Sequence, residues 1–258
     1  MKFQLLPSSF NDDGSASQRQ HLACVVVNDR IAIDAGSLAM GCREIHREMV
    51  RDVVLSHTHL DHIAGLPSFV DDLFSQLAEP VNVHGTSAML AALRQHIFND
   101  VVYPDFSAFQ NDRGPVLSFN EFEFNRTFTA AGVKMTPVKV NHNDPSAAFL
   151  LTDDSGTLII TGDTAETSEI WQRAAETDNV MAMLVECSFP DRLSGLASAA
   201  CHLTPEKLAG EIGKIGRRDF PVYVVNIKPM YRDEVVDEID RLRLDNVDIL
   251  TVGREYTV

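Results

Sequence analysis

The sequence predicts an α/β protein made of two mixed β-sheets flanked by helices. Three observations carry this. Short apolar runs of strand length alternate with segments of helical period along the whole chain. The second half repeats the pattern of the first. Finally, 258 residues with 45% hydrophobic side chains supply ample core material. No repeat, low-complexity tract or Pro/Gly/Ser-rich linker interrupts the chain after residue 20, so residues 1–258 are expected to form one domain.

The elements follow in order. "LACVVV" (22–27) and "RIAIDAG" (30–36) read as strands joined by a hairpin turning at Asn28-Asp29. "DVVLS" (52–56) is a third strand. "PSFVDDLFSQLA" (67–78) places Phe69, Leu73 and Leu77 at helical spacing, and "TSAMLAALRQHIF" (86–98) is a helix capped by Thr86 or Ser87. Residues 99–129 lack periodicity and are expected to form a surface excursion. Strands then recur at 133–140, 147–152 and 157–161, followed by a helix at 168–176 and the apolar strand "VMAMLVE" (180–186). Thr204 caps a helix with Pro205 at its first position, "FPVYVVN" (220–226) is a buried strand, 232–242 is a helix and "VDILTV" (247–252) a last strand. Trp171 and the methionines at 181 and 183 read as core.

Composition excludes several classes. The formal net charge of −15 opposes a nucleic-acid partner, which wants a basic surface. No apolar run reaches the ~18–20 residues of a membrane span, and the polar first 25 residues do not read as a secretory signal. The chain therefore reads as soluble and cytoplasmic. Its four cysteines are widely separated, which indicates neither a thiolate zinc site nor a disulfide scaffold.

The chemistry concentrates at "SHTHLDH" (56–62), directly after an apolar strand. His57 and His59 alternate, so both can face one point above the strand end, with Asp61 and His62 in the next turn. Imidazole together with carboxylate suits zinc, manganese or iron rather than calcium or magnesium. Further ligands are expected from later strand exits, and His142 and Asp163 occupy such positions after 133–140 and 157–161. His84 is a candidate pocket residue, whereas His21, His46 and His96 read as ordinary surface or core histidines.

This pattern resembles the metallo-β-lactamase superfamily across nearly the whole chain. The resemblance implies a four-layer αββα sandwich and one or two divalent metal ions, zinc first, with manganese or iron as alternatives. It implies that His57, His59 and His142 hold one metal, that Asp61 and His62 help hold a second, and that Asp163 bridges them. Asp34, in "IDAGS", matches a position that supports the ligands from behind. Histidine at 59, where the superfamily's flavodiiron oxygen reductases typically carry Glu, argues against redox chemistry.

"LLVECSFPDRLSGLASAACHLTPEKL" resembles the phosphodiesterase branch, shared by tRNA 3′-processing endonucleases and class II cyclic-nucleotide phosphodiesterases. By that resemblance Glu186 orients His202, which acts on the phosphate or the leaving oxygen, and Asp61 both ligates metal and orients the nucleophile. "NDRIAIDAGSL", "HLDHIAGLPSFVDDL" and "HIFNDVVYPDF" resemble the cyclic-nucleotide members, and no long basic arm of the kind that grips tRNA is present. The implied substrate is a small phosphodiester such as a 3′,5′-cyclic nucleotide, and dimers are common in this branch. Where that branch has "HIKP", this chain reads "NIKP", so Asn226 stands in place of an imidazole as a weak ligand. A weaker second metal is the first expectation, followed by a one-metal enzyme and then a binding or sensing member. A lactone or ester hydrolase is the competing enzymatic reading. Lys228 reads as a solvated lysine.

Overall fold

The computed structural model describes residues 1–258. The chain enters through β1 (Lys2–Leu5), β2 (Val25–Val27), β3 (Ile31–Ile33), β4 (Asp52–Val54) and β5 (Val81–Gly85). A small hairpin of β6 (Gln110–Asn111) and β7 (Gly114–Pro115) precedes β8 (Leu117–Glu121). Then come β9 (Phe128–Ala130), β10 (Val133–Lys139), β11 (Ala147–Asp153), β12 (Gly156–Ile160), β13 (Val180–Glu186), β14 (Val222–Val225), β15 (Val247–Ile249) and β16 (Glu255–Thr257). One seven-stranded sheet runs β16-β1-β2-β3-β4-β5-β8 and the other β15-β14-β13-β12-β11-β10-β9. Each is mixed in the same way, with antiparallel pairings on one side and parallel ones on the other.

The strand period divides the side chains of the second sheet between two cores. Phe149, Leu151, Leu158, Ile160 and Leu184 join residues of the first sheet in the central core. Leu150, Ile159, Met183 and Val185 point the other way, toward Trp171, Leu208, Ile212, Val235 and Ile239. Burial of one such large side chain stabilises by about 1.5–3 kcal/mol. Those partners lie on α6 (Glu169–Glu176), α8 (Pro205–Gly213) and α9 (Arg232–Leu242), the last three long helices of a set that begins with α1 (Leu38–Gly41), α2 (Glu44–Met49), α3 (Leu60–Ile63), α4 (Leu66–Leu73) and α5 (Ser87–His96), and includes α7 (Ser194–Ala199). On α4 and just beyond it Phe69, Leu73 and Leu77 are buried, as their spacing predicts. The two mixed sheets with helices thus match the expected sandwich. No helix is long and apolar enough to cross a membrane.

Three details depart from the sequence reading. Part of 99–129 is not an excursion, because β8 pairs with β5 as an edge strand of the first sheet and β9 pairs with β10. The short β1 and β16, unread in the sequence, pair with each other. Thr204 opens α8 without a side-chain cap bond, and its hydroxyl is buried and unpartnered. The hairpin at Asn28-Asp29 is present, with φ of 51° and 56° at those residues, a region Asn and Asp tolerate better than most side chains.

Topology gathers the functional loops. β3, β4 and β5 run parallel, so Asp34 and the His57 segment leave the first sheet at one edge. β10 and β12 both run antiparallel to β11, and β12, β13 and β14 are mutually parallel. Their carboxyl ends therefore deliver His142, Asp163, Glu186 and Asn226 to one edge of the second sheet. The two edges meet where Ala147 N–H donates to the Ser56 carbonyl at 2.8 Å. Gly162 lies at this seam with φ 60°, and a Cβ there would stand 2.9 Å from Ser56 Cβ.

Candidate metal centre and active site

The first-sheet side is organised from beneath by Asp34. Its carboxylate accepts from Ser56 N–H at 2.8 Å, from Ser56 Oγ at 2.7 Å and from His62 Nδ1 at 2.7 Å. Because the Ser56 hydroxyl spends its proton on Asp34, its oxygen is left to accept from His57 Nδ1, 3.0 Å away. That chain fixes the His57 tautomer and leaves the Nε2 lone pair bare. His57 Nε2 is buried and has no hydrogen-bond partner. Burial, reinforced by the neighbouring His62, pushes the His57 pKa down to about 2, so the ring is neutral.

Across the seam, His142 donates through Nδ1 to the Cys201 carbonyl at 2.9 Å, and its Nε2 stands 3.1 Å from His59 Nδ1. Burial holds His142 below the ordinary imidazole value. His57, His59 and His142 thus converge with one ligand atom each, all within 4.8 Å of one another. His62 and Asp163 meet beside them, His62 Nε2 lying 3.2 Å from Asp163 Oδ2, and these two form a second such group with His57. Burial alone would lower the His62 pKa, but Asp163 and Asp34 outweigh it and hold it well above the ordinary value. Burial likewise would raise Asp163, yet His62 holds that carboxyl well below the usual range.

These features fit a divalent cation. A buried acceptor without a partner costs about 1–3 kcal/mol, and a cation facing His57 Nε2 would satisfy it. Three converging imidazoles suit a zinc-like ion. His62 and Asp163 would serve a second such ion as imidazole and carboxylate ligands. Asp61 stands at the edge of this second group. Its Oδ2 is 3.9 Å from His62 Nε2 and its side chain is 43% exposed, leaving it free to swing toward a ligand.

Asn226 departs from the expected weak oxygen ligand. Its Nδ2 donates to Asp163 Oδ1 at 2.8 Å, so the amide presents a donor, not an acceptor, to the site. The reason is electrostatic: an amide oxygen turned toward that carboxylate would oppose it. Asn226 also sits at φ 55°, which Asn tolerates better than most residues.

The structure brings Glu186 and His202 together. Glu186 Oε1 accepts from His202 Nδ1 at 2.7 Å and from Thr164 N–H at 3.1 Å, with Glu186 fully buried. Burial raises the Glu186 pKa even against its imidazole partner. Burial would lower His202, but the Glu186 hydrogen bond and charge prevail and raise it. His202 also forms a close group with His142 and Asp163, so its free edge faces the metal-binding residues.

A cavity of about 230 Å³ opens over this centre, lined by polar groups including Asp61, His62, Asp163, Ser188 and Asn226. Lys228, His21 and Gln20 also line it. The sequence reading placed Lys228 in solvent and His21 among ordinary histidines. The only signal for Lys228 was its position two residues past a strand exit, and none marked His21. His84 is not in the cavity: its Nε2 pairs with Asp52 at 2.8 Å and its ring stacks on Phe128.

Fold and site together define a metallo-β-lactamase-type centre. A family model described as "Beta-lactamase superfamily domain" matches residues 30–220, and the chain belongs to that family. Among characterised relatives, 3′,5′-cyclic-nucleotide phosphodiesterase 1 of Saccharomyces cerevisiae is 25% identical over 232 residues, covering 75% of this chain and 61% of the yeast protein. A probable 3′,5′-cyclic-nucleotide phosphodiesterase of Yersinia pestis is 23% identical over 213 residues, covering 73% of this chain and 60% of that protein. The chain thus spans about 60% of the length of these relatives. The crystal structure of unliganded yeast PDE1 superposes with a TM-score of 0.76 at 16% identity, covering 98% of each chain, a likeness of fold.

Proposed function

We propose that this chain is a metal-dependent phosphodiesterase acting on a small phosphodiester, with a 3′,5′-cyclic nucleotide as the preferred class. The observation that carries the proposal is the Glu186–His202 pair, an imidazole held at 2.7 Å by a buried carboxylate beside the metal-binding histidines. The two cyclic-nucleotide phosphodiesterase relatives support the same reading. The net charge of −15 disfavours a nucleic-acid substrate.

His57, His59 and His142 would hold one divalent ion, and His62 and Asp163, with Asp61 at hand, a second. When bound, such ions supply Lewis acidity and an acidified water. The chain's own residues do the rest. Asp34 and Ser56 keep the His57 lone pair pointed inward and the His62 ring fixed. Asp61, at the cavity wall, offers a carboxylate to orient the attacking water and accept its proton. His202 has Nδ1 committed to Glu186, so its other nitrogen is the one that donates a proton to the departing oxygen. Glu186 keeps that imidazole protonated between turnovers.

The test is hydrolysis of cyclic AMP, cyclic GMP and an aryl phosphodiester against a lactone and thioester panel, with zinc, manganese and iron titrated in. Metal-dependent phosphodiester turnover is expected, abolished in Asp61→Ala and reduced about 10²–10⁴-fold in His202→Ala. Wild-type rates in both variants, or turnover of lactones and thioesters alone, would refute it. One observation favours a second reading, a binding member with an incomplete second site: the Asn226 amide already occupies Asp163 Oδ1. Nucleotide binding without hydrolysis under every metal would select that reading.

A further inference from the structure

We propose that Lys228 is the anion-recognition residue of this cavity, its ammonium taking the charge of the phosphoryl group in the substrate and in the phosphate-monoester product. The inference rests on the phosphodiesterase reading and adds the group that would select an anionic substrate over a neutral ester.

The argument starts from how the chain uses its lysines. There are six, in a protein of net charge −15. Lys2, Lys139, Lys207 and Lys214 are each ion-paired to a carboxylate. Lys134 lies exposed on β10. Lys228 is different: half-buried in the cavity wall, it forms neither an ion pair nor a side-chain hydrogen bond. Carboxylates are close by in Asp61 and Asp163, which line the same cavity, yet neither pairs with it. A partly desolvated ammonium without a counter-ion is unfavourable unless something that enters the cavity supplies the negative charge.

The surroundings hold this charge in place. The Lys228 ammonium stands 5.6 Å from the centroid of the Phe189 ring, whose negative face favours a cation. That ring in turn lies 5.7 Å from the His202 ring, so the lysine and the proton donor share one aromatic neighbour. The backbone is pinned as well. Lys228 N–H donates to the Ser188 carbonyl at 3.2 Å, and its φ of −61° and ψ of 128° are the extended values that a following proline imposes. Arg19 Nη1 donates to the Pro229 carbonyl at 2.7 Å and ties the next residue to the segment that brings Gln20 and His21 to the cavity. A phosphate group entering the cavity beside His62 would come within the wall that Lys228 forms. A lactone or thioester carries no charge for it to meet.

The test compares wild type with Lys228→Met, which keeps the apolar stem, Lys228→Arg, which keeps the charge, and Lys134→Met as an exposed control. Three quantities are measured: binding of adenosine 5′-monophosphate by calorimetry to the zinc-loaded protein, KM and kcat for an aryl phosphodiester, and zinc per chain. Loss of a charge-assisted hydrogen bond predicts that Lys228→Met weakens monophosphate binding and raises KM, each about 10- to 100-fold, with kcat changed less and zinc content unchanged. Lys228→Arg should recover most of the affinity, Lys134→Met should behave as wild type, and the salt dependence of wild-type binding should flatten in Lys228→Met. Monophosphate affinity and KM unchanged in Lys228→Met would overturn the inference, as would a loss explained by loss of zinc. If wild type hydrolyses no phosphodiester but Lys228→Met still loses monophosphate binding, the inference stands and the catalytic reading falls. If phosphodiester turnover is present and indifferent to Lys228, the reverse holds.

Discussion

Glu186→Gln isolates a charge while sparing the shape. Gln fills nearly the same volume, and its side-chain oxygen can still accept from His202 Nδ1, now 2.7 Å from Oε1, and from Thr164 N–H. What goes is the negative charge that favours the protonated imidazole. A hydrogen bond to a charged group contributes about 1.5–3 kcal/mol against about 0.5–1.5 for a neutral one, so the imidazolium loses about 1–2 kcal/mol. With the Glu186 charge gone, burial is the largest remaining influence, aided by Lys228 and opposed by Asp163, and the His202 pKa falls from its raised value. The alkaline limb of kcat/KM should therefore move to lower pH, and above it the rate should drop about 5- to 30-fold. The drop should be larger for an alkyl leaving group, which needs a proton, than for a nitrophenolate, which does not. Stability follows the same group. Because the folded His202 pKa is raised above its ordinary 6.5, the pair's contribution is fully present below that pH and is lost as pH climbs through the folded value. The Tm gap between wild type and Glu186→Gln should accordingly be widest in mild acid and narrow toward alkaline pH. Rates for both leaving-group types, pH profiles and imidazole titration by NMR form the assay. An unmoved alkaline limb together with equal losses for both leaving groups would refute the role of Glu186.

Other perturbations follow from the same geometry. Asp34→Ala deletes three hydrogen bonds that aim His57 and His62, and should weaken metal affinity about 10- to 100-fold in a chelator competition; unchanged affinity would show that the relay does not orient the ligands. Asn226→His removes the amide donor from Asp163 and adds an imidazole, so metal retained per chain after dialysis should rise, and no rise would count against a weakened second site. Gly162→Ala sets a Cβ against Ser56 at φ 60°, which should cost about 1–3 kcal/mol, read as a Tm drop of several degrees; a neutral outcome would mean the seam can open to accept it.

Much of the site was legible because its residues stand at the exits of apolar strands. The runs before His57, Asp163 and Glu186 are nearly continuous hydrophobic segments whose parallel pairings carry their ends to common edges, whereas the run before His142 alternates and reaches the same edge through its antiparallel partner β11. The strand period accounts for the two cores once the structure is seen, with Leu150 and Leu151 on opposite faces of β11. What escaped depends on contacts distant in sequence. β1 and β16 pair across nearly the whole chain, and three-residue strands leave little periodic signal. β8 gains its place from β5 and not from its own composition. His84 looks like a pocket residue until Asp52 and Phe128 are seen to claim it. Which atom of Asn226 faces Asp163, and whether Lys228 meets solvent or a cavity, follow from side-chain packing that no spacing rule encodes.

The division of the centre between two sheets bears on the mechanics of the molecule. His57, His59 and His62 belong to the first sheet's loops, whereas His142 and Asp163 belong to the second's. An ion gripped by both sets would act as a rivet through the seam, so its binding free energy adds to the docking of one half against the other. Chelation should then loosen the two edges together, with amide exchange quickening in the loops after β4 and β12 at the same chelator concentration. The same joint that positions the chemistry would thereby make metal supply a determinant of how long the protein survives proteolysis.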